Sequence, residues 1–133
     1  MMQGKFFTAT TTESDAMPFG VIKWFSRPAT TGAKSLVVLE VTFLPGEGHA
    51  FHYHPGQEEI LYVLEGTVQQ WLEQESKHLV AGDALYVGPD VVHASFNVSN
   101  APVKLLAIVG PAVGDVGYTA VDVFDQVPWK NLR

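Results

Sequence analysis

The chain contains no cysteine. Disulfides, thiolate nucleophiles and zinc–thiolate sites are thereby excluded. The absence fits a reducing compartment, and with neither a secretory signal nor a bilayer span evident in the sequence, the cytoplasm is the expected location. Cations are scarce: eight Lys and Arg stand against fourteen Asp and Glu, for a formal net charge of −6 and a pI near 5.2. No run of Lys or Arg is present to neutralise phosphates, so neither nucleic acid nor an anionic membrane is an expected partner. No stretch of about 18 uninterrupted apolar residues occurs, so no bilayer span is expected. The first residues, Met1 to Thr12, lack the charged n-region and apolar h-region of a secretory signal. Helical periodicity is also nearly absent.

What the sequence does have is β character. Its 133 residues are 47 % hydrophobic and 17 % charged, which reads as one globular domain over residues 1–133. Short runs rich in Val, Ile, Phe, Tyr and Trp are separated by Gly, Pro, Asn or Asp, the pattern of a sandwich or barrel. Strands are predicted at Phe19–Phe25, Leu36–Leu44, Ala50–His54, Glu59–Leu64, Thr67–Leu72, Lys77–Val80, Ala84–Val87, His93–Val98 and Val103–Val109. Turns fall at Pro45-Gly46, Pro55-Gly56, Glu65-Gly66, Gly82-Asp83, Gly88-Pro89-Asp90 and Asn100-Ala101-Pro102, all residues that relieve or preset turn backbone. Arg27 to Lys34 reads as a loop, and Tyr118–Phe124 as an extended segment of a tail that packs across the barrel. The run Ile60 to Leu64 is apolar on both faces, which calls for a second covering layer. Another sheet or a second copy of the chain would supply it, and the latter makes a homodimer an expectation.

Three of the five histidines form a pattern. His52 and His54 are one residue apart; in a strand such residues share a face with Cα atoms about 6.5–7 Å apart, within reach of one ion. After the turn at Pro55-Gly56 the chain returns through Glu58 and Glu59, either of which can present a carboxylate. His93 opens a later strand. Three imidazoles and a carboxylate suit one divalent transition metal, Fe, Mn, Ni, Co, Cu or Zn, and suit Ca or Mg poorly. His49 has the opposite strand parity to the pair and is expected to face away. His78, beside Glu75, Ser76 and Lys77, reads as a polar-edge residue. Leu61, Val63, Leu85, Phe96 and Trp71 are candidates for the interior wall, and Gln69, Gln70, Tyr86 or Ser95 for an inward polar group.

The spacing resembles the cupin superfamily at two linked motifs. The first runs Gly46, five residues, His52-Tyr53-His54, four residues, Glu59, six residues, Gly66; every fixed position matches. The count back from Gly66 selects Glu59 over Glu58. The second runs Gly82, five residues, Gly88-Pro89-Asp90, two residues, His93, three residues, Asn97. Here Gly88 stands where the family has Pro and Asp90 where it has Gly, a variant turn that an Asp can make in a left-handed conformation. Fifteen residues separate the motifs, and the resemblance covers about Leu36 to Val109. It implies an all-β double-stranded β-helix, or jelly-roll barrel, with a metal held by His52, His54, Glu59 and His93.

A reaction does not follow from the fold. The expectation placed first is a quercetin-dioxygenase-like enzyme acting on an oxygen-chelating small molecule, with Glu59 as ligand and catalytic base together. A non-redox isomerase or lyase comes second, and a barrel that binds a small molecule or metal without chemistry third. Because no Lys or Arg lies inside either motif, a phosphorylated substrate is disfavoured.

Overall fold

The structure, a computed structural model, describes residues 3–133. Eleven strands are present among the described residues: β1 (Glu13–Met17), β2 (Gly20–Trp24), β3 (Val37–Phe43), β4 (Gly48–Tyr53), β5 (Glu58–Glu65), β6 (Thr67–Leu72), β7 (Glu75–Val80), β8 (Ala84–Val87), β9 (His93–Phe96), β10 (Val103–Gly110) and β11 (Val121–Asp122). They form two antiparallel sheets, one of six strands ordered β1-β2-β3-β10-β5-β8 and one of five ordered β11-β4-β9-β6-β7. This is the expected jelly-roll barrel, with the two sheets facing each other across an apolar interior.

The nine predicted strands are all present. β1 was not predicted; each of its residues is exposed, so no apolar alternation marks it, and it is held by backbone pairing from Glu13↔Trp24 to Met17↔Gly20. The expected loop at Arg27 to Lys34 instead contains a one-turn helix, α1 (Pro28–Thr31). Pro28 presets the first helical φ, and Gly32 ends the turn in a left-handed conformation, φ 73°.

Parity along β3 and β10 is regular. Val37, Leu39 and Phe43 are buried with Val103, Leu105, Ala107 and Val109, and all seven join two interior clusters completed by Ile22, Trp24, Leu61, Val63 and Val68. Each such side chain, fully buried, contributes roughly 1.5–3 kcal/mol. Outward positions of β5 behave differently: Ile60, Tyr62 and Leu64 are 36–40 % exposed. The second layer expected over this run is not supplied by the described residues of the chain.

The outer face of the five-stranded sheet is covered instead. Phe51, Trp71, Val92 and Ala94 pack with Val123, Trp129 and Leu132 of the C-terminal tail. Trp71 and Phe96, expected as candidates for the interior wall, lie on this outer face. The pairings Gln70↔Ser95 and Trp71↔Ala94 fix the alternation, so Gln70 and Ser95 point inward and Trp71 outward.

Candidate metal centre

β4 and β9 pair His52 directly opposite His93. His54 lies just beyond the end of β4, and Glu59 enters on β5, after the Pro55-Gly56 turn, from the facing sheet. All four side chains are buried, at 1–6 % exposure. Ring centroids are 4.2 Å apart for His52–His93, 5.0 Å for His52–His54 and 5.1 Å for His54–His93. One ring nitrogen from each of the three lies within 4.8 Å of the other two, an arrangement that could hold a metal ion. Glu59 Oε1 stands 2.9 Å from His93 Nε2 and 3.6 Å from His54 Nε2.

The hydrogen bonds on the far side of each ring decide what these nitrogens present. Nδ1 of His52 is 2.6 Å from the Ala50 carbonyl, Nδ1 of His54 is 2.9 Å from that of Thr119, and Nδ1 of His93 is 3.0 Å from that of Val91. A carbonyl oxygen only accepts, so each Nδ1 carries a proton and the ring, in its neutral form, offers an Nε2 lone pair. His54 Nε2, His93 Nε2 and Glu59 Oε1 are buried without a hydrogen-bond partner. Lone pairs facing one another in a dry site are costly unless a cation or proton lies among them. The donor set therefore fits a first-row divalent ion.

The local electrostatics act in opposite directions on the groups around the Glu59 carboxylate. Burial pushes His52 far below the usual imidazole range, helped by His49 and His93. Burial opposes the charge on Glu59, but His54 and His93 outweigh it and hold the carboxyl below the ordinary range. Burial likewise opposes protonation of His54, and Glu59 more than offsets it, so His54 is raised.

Glu58, the other candidate, is exposed and accepts a hydrogen bond from the Tyr86 hydroxyl at 3.2 Å. The Gly88-Pro89-Asp90 turn forms with Asp90 at φ 65°, and the Asp90 carboxylate accepts from the Gly56 amide at 3.1 Å. That bond ties the two motif turns together. Asn97 is fully buried and donates to the carbonyls of Phe43 and Ala101, so it serves the barrel end and not the ion. His78 is exposed on β7, as expected.

His49 departs from expectation. It does not face away: it lines the interior cavity, and its ring stacks on His52 at 3.5 Å between centroids. Between His49↔Ser95 and His52↔His93 the register shifts, so three steps on β4 match two on β9. This bulge inserts one residue and resets the parity of everything before it. Burial, with His93 and His54, lowers the His49 pKa to about 4.

The cavity has a volume of about 310 Å³, near the lower end for small-molecule pockets. Phe19, Leu39, Phe43, Leu61 and Leu105 give it an apolar wall, and no Lys or Arg lines it. Opposite lie the metal-competent cluster, His49, Ser95, Tyr118 and Asp122. Of the inward polar candidates, Ser95 lines the cavity and donates to Gln70 Oε1 at 2.6 Å; Gln69 and Tyr86 face outside it, bonded to Arg133 and Glu58. Tyr118, Ala120 and Asp122 were not singled out from sequence. They alternate along the extended tail segment, and that period of two was the available signal; Asp122 pairs directly with His52.

A two-sheet barrel with this histidine cluster defines a jelly-roll protein whose interior could hold a metal ion. Residues 39–109 match the family model described as the cupin domain, and the chain belongs to that family. It is 29 % identical over 109 residues to protein SchB of Streptomyces halstedii, covering 80 % of this chain and 79 % of that one. It is 30 % identical over 113 residues to a Streptomyces cyaneus protein named polyketide synthase CurC, covering 81 % and 73 %. Among solved structures, KdgF from Halomonas sp. superposes with a TM-score of 0.75 at 23 % identity, over 85 % of this chain and 98 % of that one. An RmlC-like cupin from Shewanella frigidimarina superposes at 0.71 with 24 % identity, over 86 % and 98 %. At those identities the structural matches speak for the fold alone.

Proposed function

We propose that the chain is a metal-dependent cupin that binds a small oxygen-chelating organic molecule, an enolisable ketone or phenol of the polyketide kind, and moves a proton on it. One observation carries this reading: three imidazoles with Nδ1 committed to backbone carbonyls turn their Nε2 atoms, together with Glu59 Oε1, toward one point at an apolar cavity. His52, His54, Glu59 and His93 would hold one divalent ion of the Fe, Mn, Ni, Co, Cu or Zn series. Such an ion, when bound, supplies Lewis acidity that polarises a carbonyl. The apolar wall orients the rest of the molecule and limits water. Asp122 and the unprotonated His49 stand at the same cavity, so proton transfer need not fall to Glu59, which is left to act as a ligand. The base is the Asp122 carboxylate oxygen or a His49 ring nitrogen.

Of the expected reaction classes, the non-redox one is preferred on this reading to the dioxygenase-like one. Two features favour that order: the similarity to a protein named polyketide synthase, and proton-handling side chains separate from the ligand set. The test is to load the protein with zinc, and separately with iron, and offer a β-diketone. Exchange of the diketone's α-hydrogen for deuterium with the zinc protein, without oxygen uptake, supports the proposal. Oxygen uptake confined to the iron protein, with no exchange by the zinc form, would overturn it in favour of dioxygenase chemistry. Ligand-induced melting shifts with neither activity would favour a binding module.

The homodimer is proposed on a single face. Ile60 and Tyr86 are paired neighbours on β5 and β8 and, with Tyr62 and Leu64, are 36–55 % exposed, a contiguous apolar row that a second copy would cover. Light scattering at micromolar concentration that returns a monomer would remove it.

A further inference from the structure

Gln57 lies in the turn between His54 and Glu59 and is 1 % exposed. Its side chain is fully occupied by one segment that lies outside both motifs. Nε2 donates to the carbonyls of Pro111 at 2.6 Å and Gly117 at 3.1 Å. Oε1 accepts from the Thr119 amide at 3.1 Å. The Thr119 carbonyl in turn accepts from His54 Nδ1 at 2.9 Å. The neighbouring Tyr118 sets its ring edge-to-face on His54 at 5.6 Å and stacks on Trp24 at 6.3 Å.

The three histidine anchors are therefore unequal. His52 and His93 each bond a carbonyl two residues away on their own segment. Such local acceptors come with the strand and need no support from elsewhere. His54 borrows its acceptor from a residue 65 positions away, and the backbone that carries this acceptor is gripped by Gln57.

We propose that Gln57 is a positioning residue that latches the segment Pro111–Thr119 across the barrel, so that the Thr119 carbonyl holds His54 with Nε2 directed at the other ligands. The inference rests on the metal-binding reading of the site. Outer partners of ligating histidines fix tautomer and ring orientation, and their loss costs about 10–100-fold in metal affinity. The same latch seats Tyr118 against the cavity, making the tail part of the site and not an appendage.

The experiment uses the full chain as Gln57→Met, close to isosteric and unable to hold either carbonyl, and as Gln57→Glu, which keeps only the acceptor for Thr119. Val68→Ala, a buried change in the interior cluster away from the site, controls for lost stability. Cobalt affinity is measured by competition with a chromophoric chelator, and imidazole N–H resonances of the metal-free protein are followed by nitrogen-15 NMR. The expected result is cobalt binding weakened about 10–100-fold in both Gln57 variants, with the His54 Nδ1–H resonance lost and those of His52 and His93 kept. Val68→Ala should leave affinity and all three resonances in place. Wild-type affinity with the His54 resonance intact in Gln57→Met would overturn the latch. If a variant does not fold, wild-type hydrogen exchange decides: shared protection of His54 Nδ1–H and Thr119 N–H supports the latch, and free exchange of the former alone refutes it. A wild-type protein that takes up no cobalt defeats the metal reading, and the NMR comparison still judges the latch separately.

Discussion

The two sheets are built to opposite plans. The five-stranded sheet turns histidines, Ser95 and Gln70 inward and hides an apolar outer face under the C-terminal tail. The six-stranded sheet turns Ile22, Leu39, Leu105 and Val109 inward, with Glu59 of β5 as a polar exception, and leaves Ile60, Tyr62 and Leu64 open outside. Polar side chains on one wall and apolar packing on the other put a cluster that could hold a metal ion beside an apolar surface in one cavity. The barrel's stability then need not depend on the site, because the interior clusters and the cluster under the tail supply the packing.

Breaking the polar wall should produce the largest effect. His52→Ala, His54→Ala or His93→Ala should each reduce bound metal from one ion per chain to near zero by elemental analysis, while far-UV circular dichroism keeps its β signature. Crossing to the other sheet sharpens the contrast: Glu59→Gln should lower metal content severely, and Glu58→Gln, which removes only an exposed partner of Tyr86, should not. Uncovering the five-stranded sheet's outer face tests stability apart from chemistry. Trp129→Ala should cost about 2 kcal/mol in denaturant unfolding, less than a fully buried Trp→Ala because the ring is half-buried, with metal stoichiometry unchanged. The open face of the six-stranded sheet should respond least: Tyr62→Lys should change the chain's own stability by no more than about 0.5 kcal/mol. Its effect should appear as loss of the dimer in light scattering.

How legible this was from sequence depends on how local the cause was. His52, His54, Glu59 and His93 are set by strand parity and by turns whose residues are visible in the motif spacing, so the cluster was readable. His49 was misplaced because a bulge is a property of two strands together: nothing within Gly48 to Tyr53 announces that three of its steps will match two on β9. Trp71 and Phe96 were offered for the wrong face because large apolar residues stand at outward positions of β6 and β9 too, and only the tail packed on them explains it. β1 carries no side-chain signal at all. Tyr118, Asp122 and Thr119 reach the site by pairing of the tail with β4 and with Gln57, partners 70 and 62 residues away; the period of two in the tail marks a strand but not the partner it finds.

The most direct measurement is elemental analysis of freshly purified protein, followed by chelator stripping and reloading, for wild type beside His93→Ala. One transition-metal ion per chain, recovered on reloading and missing from His93→Ala, is the result this account requires. Wild-type protein that arrives without a stoichiometric ion and accepts none, or a His93→Ala variant that binds as tightly as wild type, would contradict it.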